Sequence, residues 1–199
     1  MEAVLPQPQR GSPQRLPQRR PVVPSAMLGM LVFIVTEIMF FAGFISAFTI
    51  SKANAVMGMW PPPGQPRLPA EATLLNTAVL LVSGVLLFVA YRRFRVNAPS
   101  KSLYLVAFVL GAAFVGLQGR EWVMLLGAGM TMTSSTLGSF FYLIVGTHAL
   151  HVAVCIVAMG FGFVRLQKGT LSREFFLATL SFWVFVVGAW PIIYLRVYF

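Results

Sequence analysis

Between Ala26 and Ile50 the chain reads AMLGMLVFIVTEIMFFAGFISAFTI, an apolar run with a single charge, Glu37, near its middle. Wound as a helix at about 1.5 Å per residue, a run of this length reaches roughly 37 Å, enough to cross a hydrocarbon core of about 30 Å with some tilt. A carboxylate at bilayer depth costs about 2.5–3.5 kcal/mol on insertion scales, so a neighbour must compensate it or it must carry a proton. What Glu37 faces is therefore the question the rest of the chain has to answer.

The remaining composition agrees with a membrane setting. Of 199 residues, 58% are hydrophobic and 10% charged, with a mean hydropathy of +0.81, which leaves too little polar surface to cover a soluble globule. The net charge of +10, with five Glu and no Asp, would suggest nucleic acid in a soluble protein. Here the cations gather between apolar runs, which is a topological signal, and no nucleic-acid partner is expected. Cys155, the single cysteine, sits inside an apolar segment and has no internal disulfide partner. Residues 1–25 hold six prolines and four arginines and read as a disordered, Pro/Arg-rich cytoplasmic tail. No small-residue cleavage pattern accompanies that tail, so the first span is expected to be retained as its own insertion signal.

Residues 26–199 read as one membrane domain. After span one, WPPPG (60–64) excludes helix, and Trp60 suits the headgroup level. Further apolar runs cover roughly 72–91, 102–119, 137–164 and 175–198, the first of them closing on Arg92, Arg93 and Arg95. Arg120 and Glu121 lie beside an interfacial Trp122 and are expected to pair locally. With the N-terminus cytoplasmic, the inner side holds eleven Lys and Arg and the outer side four, Lys52, Arg67, Arg120 and Arg196. That asymmetry predicts an all-α bundle of five transmembrane helices with the N-terminus in the cytoplasm and the C-terminus outside. Pairs of small residues, Ala42/Ser46, Ala112/Gly116 and Ala149/Ala153, supply candidate close-packing surfaces.

Few residues carry chemistry. His148 and His151 are the only histidines and lie three apart on span four, with Cys155 further along the same stripe. A metal site needs three or four converging ligands, and two neighbouring histidines cannot ligate both faces of a haem, so neither metal nor haem is expected in this chain. Glu37 and the two histidines fall near the midpoints of their spans, which makes an imidazole the expected partner of the carboxyl. One acid is too few for a proton relay across the membrane. With no nucleophile–base set, no phosphate-binding glycine loop and no CxxC, no catalytic residue is assigned. The cluster Arg92, Arg93 and Arg95 is a candidate for lipid headgroups, with topogenic snorkelling as the plainer explanation.

Five segments in order, FIVTEIMFFAGFISAF (33–48), WPPPG (60–64), LLNTAVLLVSGV (74–85), GLQGREW (116–122) and GSFFYLIVGTHALHV (138–152), together resemble subunit III of haem–copper oxidases of the cytochrome c oxidase type, in its five-helix bacterial form. The resemblance implies a cofactor-free accessory subunit of the bacterial inner membrane. Haem and copper would lie in partner subunits, with subunit I and subunit II as protein partners and phospholipids bound. It also implies support of proton uptake and a hydrophobic route for oxygen. Glu37, His148 and His151 match the family's intramembrane polar residues, and Glu121 and Trp122 match its Glu-Trp. Trp60, Trp122, Arg92, Arg93 and Glu121 are the lipid or interface candidates. Where members commonly have histidines at the inner end of the second span, this chain has Tyr91, Arg92 and Arg93.

Two other readings fit a cofactor-free bundle. One is the corresponding component of a quinol oxidase or nitric oxide reductase, although WPPPG and LLNT favour the cytochrome c type. The other is a small transporter using Glu37 as a proton-coupled site, which calls for an internal repeat that the sequence does not show.

Overall fold

The computed structural model describes residues 25–55, 60–62, 64–66 and 68–199; the tail expected over 1–25 lies almost wholly outside them. Among the described residues the structure is all-helical: α1 Ser25–Ala53, α2 Ala70–Arg95, α3 Lys101–Gly127, α4 Thr136–Gln167 and α5 Arg173–Val197. All five are long and apolar enough to cross a membrane. Each extends beyond at least one end of the apolar run that announces it. α3, for instance, continues past residue 119 through the polar QGREW turn to Gly127, with Glu121 hydrogen-bonded inside the bundle to Thr73, Asn76 and Gln118.

Local chemistry sets the ends. Ser135 and Ser172 are N-caps whose hydroxyls accept from Gly138 N and Phe175 N, satisfying one orphan donor each. α3 and α4 stop on glycines in the left-handed region, Gly129 at φ 85° and Gly169 at φ 71°. In both, the next residue reaches back five positions: Met130 N donates to Leu125 O at 3.0 Å and Thr170 N to Arg165 O at 2.9 Å. That is the doubly bonded helix stop which a left-handed residue permits. Asn97, at φ 55°, plays the same part after α2.

Helices α2, α3, α4 and α5 form a closed ring in which each packs on the next and α5 returns to α2. Their shared interior holds Leu80, Ala107, Phe114, Trp183 and Trp190, all buried. The close approaches are made at single glycines. A Cβ on Gly111 of α3 would lie 2.8 Å from both Trp183 and Ile156, and one on Gly162 of α4 would meet the Tyr104 hydroxyl and Phe175. The small-residue pairs singled out in the sequence do not fill this role. Ala42, Ser46, Ala112, Gly116 and Ala153 are exposed on the bundle's outside, because their spacing puts them on faces turned away from the ring.

α1 stands outside the ring and leans on α5 and on the edge of α4. One stripe of it faces inward through Glu37, Phe41, Ile45 and Phe48, while Leu28, Val32, Val35 and Met39 are exposed along the opposite side. At its far end Lys52 Nζ donates to the Phe199 carbonyl, tying the end of α1 to the end of α5.

Candidate functional site

The inward stripe of α1 brings Glu37 to α4. Its Oε2 lies 3.0 Å from His151 Nε2, with both side chains mostly buried. The other imidazole nitrogen, Nδ1, is 2.7 Å from the Thr147 carbonyl one turn earlier. A carbonyl can only accept, so Nδ1 carries its hydrogen. That leaves Nε2 at ion-pair distance from the Glu37 carboxyl but outside hydrogen-bond alignment with Oε2.

Aromatic rings enclose this pair. Phe41 packs on His151 with centroids 5.6 Å apart, Phe182 of α5 at 6.1 Å and Phe33 at 6.3 Å. His148, one turn earlier on α4, points elsewhere. It is buried, stacks on Trp190 with centroids 5.0 Å apart at 27° and makes no contact with Glu37 within ion-pair range. Cys155 also turns away, its Sγ lying 3.9 Å from the Thr179 carbonyl on α5. Glu37, His148, His151 and Cys155 therefore do not converge, and among the described residues no three His, Cys, Asp or Glu side chains gather as metal ligands.

A second polar centre lies toward the opposite end of α3 from Lys101. Glu121 was expected at the interface beside Arg120; it is buried instead, and Arg120 is exposed. Successive residues on a helix point about 100° apart, so with one turned to the interior the other is turned out. Three neutral groups supply what the arginine does not. Thr73 Oγ1 and Asn76 Nδ2 of α2 reach the two Glu121 oxygens at 2.8 Å each, and Gln118 Nε2 donates at 3.1 Å. Gln118 Nε2 also donates to the Tyr198 hydroxyl at 3.2 Å, and Trp190 Nε1 donates to Thr77 Oγ1 at 2.9 Å, so α2, α3 and α5 are laced together. Thr73 has one hydroxyl hydrogen, yet Pro69 O, at 2.9 Å, and Glu121 Oε2 both lie within its reach. A proton on Glu121 donated to Thr73 resolves that competition.

Glu121 stands out in the sequence, whereas its partners Thr73, Asn76 and Gln118, and the Tyr198 hydroxyl that Gln118 also meets, do not. The available signal was their polarity inside apolar runs: Asn76 and Thr77 belong to LLNT, and Gln118 and Glu121 to GLQGREW. Trp60 packs against Phe48 at 5.6 Å, covering the end of α1. Trp122 is half-buried against Tyr142 at 5.7 Å, with its indole nitrogen buried. Arg92 and Arg93 are exposed at the end of α2, and Arg173 Nη2 donates to the Arg95 carbonyl at 2.7 Å beside them.

The chain that builds these two centres is similar to known proteins along most of its length. Residues 18–199 match the family model described as cytochrome c oxidase subunit III. The cytochrome c oxidase subunit 3 of Homo sapiens is 33% identical over 187 residues, covering 89% of this chain and 70% of that protein. The Pongo pygmaeus protein of the same name is 34% identical over the same shares. That of Arabidopsis thaliana is 35% identical over 179 residues, 85% of this chain and 66% of its own length. With the family model covering the whole membrane bundle and relatives above 30% identity along most of both chains, this chain belongs to the cytochrome c oxidase subunit III family.

Proposed function

We propose that this chain buttresses the catalytic subunit of a haem–copper cytochrome c oxidase, docking on it through the outer face of α1, binding phospholipid along its flanks and supporting proton uptake and oxygen access at that subunit. Subunit III is a cofactor-free accessory subunit, so the chemistry of oxygen reduction belongs to the haem and copper of other subunits. The observation that carries the reading is the one-sided attachment of α1. The helix that bears FIVTEIMFF is held to the ring by Glu37–His151, by Phe41 and by Lys52, while Leu28, Val32, Val35 and Met39 form an exposed apolar stripe. Such a stripe suits a second membrane subunit, because two apolar helix faces associate through close packing.

Charge supports an orientation. Arg92, Arg93, Arg95, Lys101, Arg165, Lys168 and Arg173 lie at one end of the bundle, and Lys52, Arg120 and Arg196 at the other. The richer end faces the cytoplasm by the positive-inside rule. Membership of the family supports a multi-pass place in a respiratory membrane, here a bacterial inner membrane, with subunits I and II as the protein partners.

The test is recovery of the complex. An affinity tag on this chain, with extraction of native membranes in mild detergent, is expected to bring down haem- and copper-containing subunits identifiable by absorbance and mass spectrometry. Recovery of the chain without a haem-bearing partner would overturn the proposal.

A further inference from the structure

An open groove of about 570 Å³ lies where the end of α2 meets the start of α5, lined by Val89, Arg92, Arg93, Arg95, Val96 and Arg173. Arg173 is tied across to α2 by the bond from its Nη2 to the Arg95 carbonyl at 2.7 Å. One cation there suits the negative end of the α2 dipole. Four in one groove repel one another, and that repulsion calls for an anion among them. Among the described residues none of the four is paired with a carboxylate, and Glu174, next in sequence to Arg173, is exposed and pairs with none of them. The positive-inside rule asks only for cations at this end of the bundle, and snorkelling would carry each guanidinium into water on its own. Neither accounts for four of them lining one groove.

The groove also has an apolar continuation. Toward the middle of the membrane Val89 is followed on α2 by Val85 and Val82, four and then three residues away and therefore on the same face. Both are exposed. We propose that the groove binds the phosphate of a phospholipid of net negative charge, whose acyl chain lies along Val89, Val85 and Val82. Guanidinium forks match phosphate oxygens in charge and in geometry, each able to give two parallel N–H bonds. A zwitterionic headgroup would bring a further cation into a site already in excess of positive charge, and a soluble phosphate would leave the valine track bare. The inference rests on the phospholipid binding proposed above, to which it gives a place and a headgroup charge. It does not require the catalytic subunit, so its failure and a failure to recover a haem-bearing partner are separate results.

The test is made on the full chain purified in detergent, with native mass spectrometry counting the lipid it retains when offered phosphatidylglycerol, phosphatidylcholine or phosphatidylglycerol with inorganic phosphate. Preferential retention of phosphatidylglycerol is expected. Arg92→Gln/Arg93→Gln should need on the order of 30-fold more of it for the same occupancy, about fivefold for each arginine. Arg92→Lys/Arg93→Lys, which keeps the charge that orients α2 and loses the forks, should fall between that variant and wild type. Lys101→Gln/Lys168→Gln removes the same charge from exposed positions at the same end of the bundle but outside the groove and should change little. Equal losses in the arginine and lysine pairs would reduce the effect to diffuse surface charge and overturn the site, as would undiminished retention in either arginine variant. Displacement of the lipid by inorganic phosphate at equal concentration would assign the groove to a soluble anion and count equally against it.

Discussion

The Glu37 carboxyl and the His151 imidazole are useful to each other only as a pair, and variants can read that dependence. Glu37→Gln presents an amide hydrogen to the bare Nε2 of His151, so near-wild-type stability is expected in thermal denaturation of the detergent-solubilised chain. Glu37→Ala and His151→Ala should each destabilise. The double variant should be no worse than the more damaging single one, giving a coupling energy of about 1–2 kcal/mol. Additive losses would show that the 3.0 Å contact contributes nothing. At the other centre, Glu121→Gln keeps an oxygen for Asn76 and a donor for Thr73, and it should cost less than Glu121→Ala. The alanine strands the Asn76 donor and removes the partner of the Thr73 hydroxyl, at about 1–3 kcal/mol for each one that water does not rescue, while Gln118 keeps the Tyr198 hydroxyl. Chemical denaturation of the two variants side by side checks the order.

At the scale of the helix, the packing is set by single glycines. A methyl at Gly111 meets Trp183 and Ile156 at 2.8 Å, and both side chains are wedged in the interior. Gly111→Ala should therefore lower stability by about 1–3 kcal/mol. Gly43→Ala has nothing within 4 Å of its new Cβ and should be neutral or gain up to about 1 kcal/mol from helix propensity. Thermal melts of both variants under one detergent condition would check this contrast in sign. The glycines also mark where the sequence was and was not legible. Five spans follow from runs of apolar residues, since hydrocarbon thickness demands such runs whatever the neighbours are. Which small residues make the close contacts does not follow, because Ala112/Gly116 and Gly111 differ only in the direction they face, and only the partner helix decides that. For the same reason Glu121 and Arg120, adjacent in sequence and opposite in charge, read as a pair, while two of the three partners of Glu121 come from a helix some forty-five residues away.

For the whole molecule, the closed ring and the single outlying helix predict where partners bind. A photo-crosslinking amino acid at Met39, on the exposed stripe of α1, should capture the catalytic subunit in native membranes. The same probe at Val157 on α4, also exposed, should capture lipid or nothing. Analysis of the crosslinked products by mass spectrometry distinguishes the two, and equal capture of protein at both sites would contradict docking through α1. The general position of the Glu37 site was legible here too, because mid-span depth brings Glu37, His148 and His151 to one level. Which imidazole it meets was settled by rotation about the α4 axis, which depth does not encode.

The placement of α1 also bears on how the protein is made. Its contacts are with α4 and α5, so the helix that leaves the ribosome before the others is completed by the one that leaves after them. About 120 residues lie between Ala53 and Arg173, and at about 5–20 residues per second their synthesis lasts on the order of 6–24 s. For that interval α1 crosses the membrane before its α5 platform exists, and for most of it before His151 has been translated. Glu37 must be sheltered meanwhile, by a proton, by the insertion machinery or by a partner subunit already waiting.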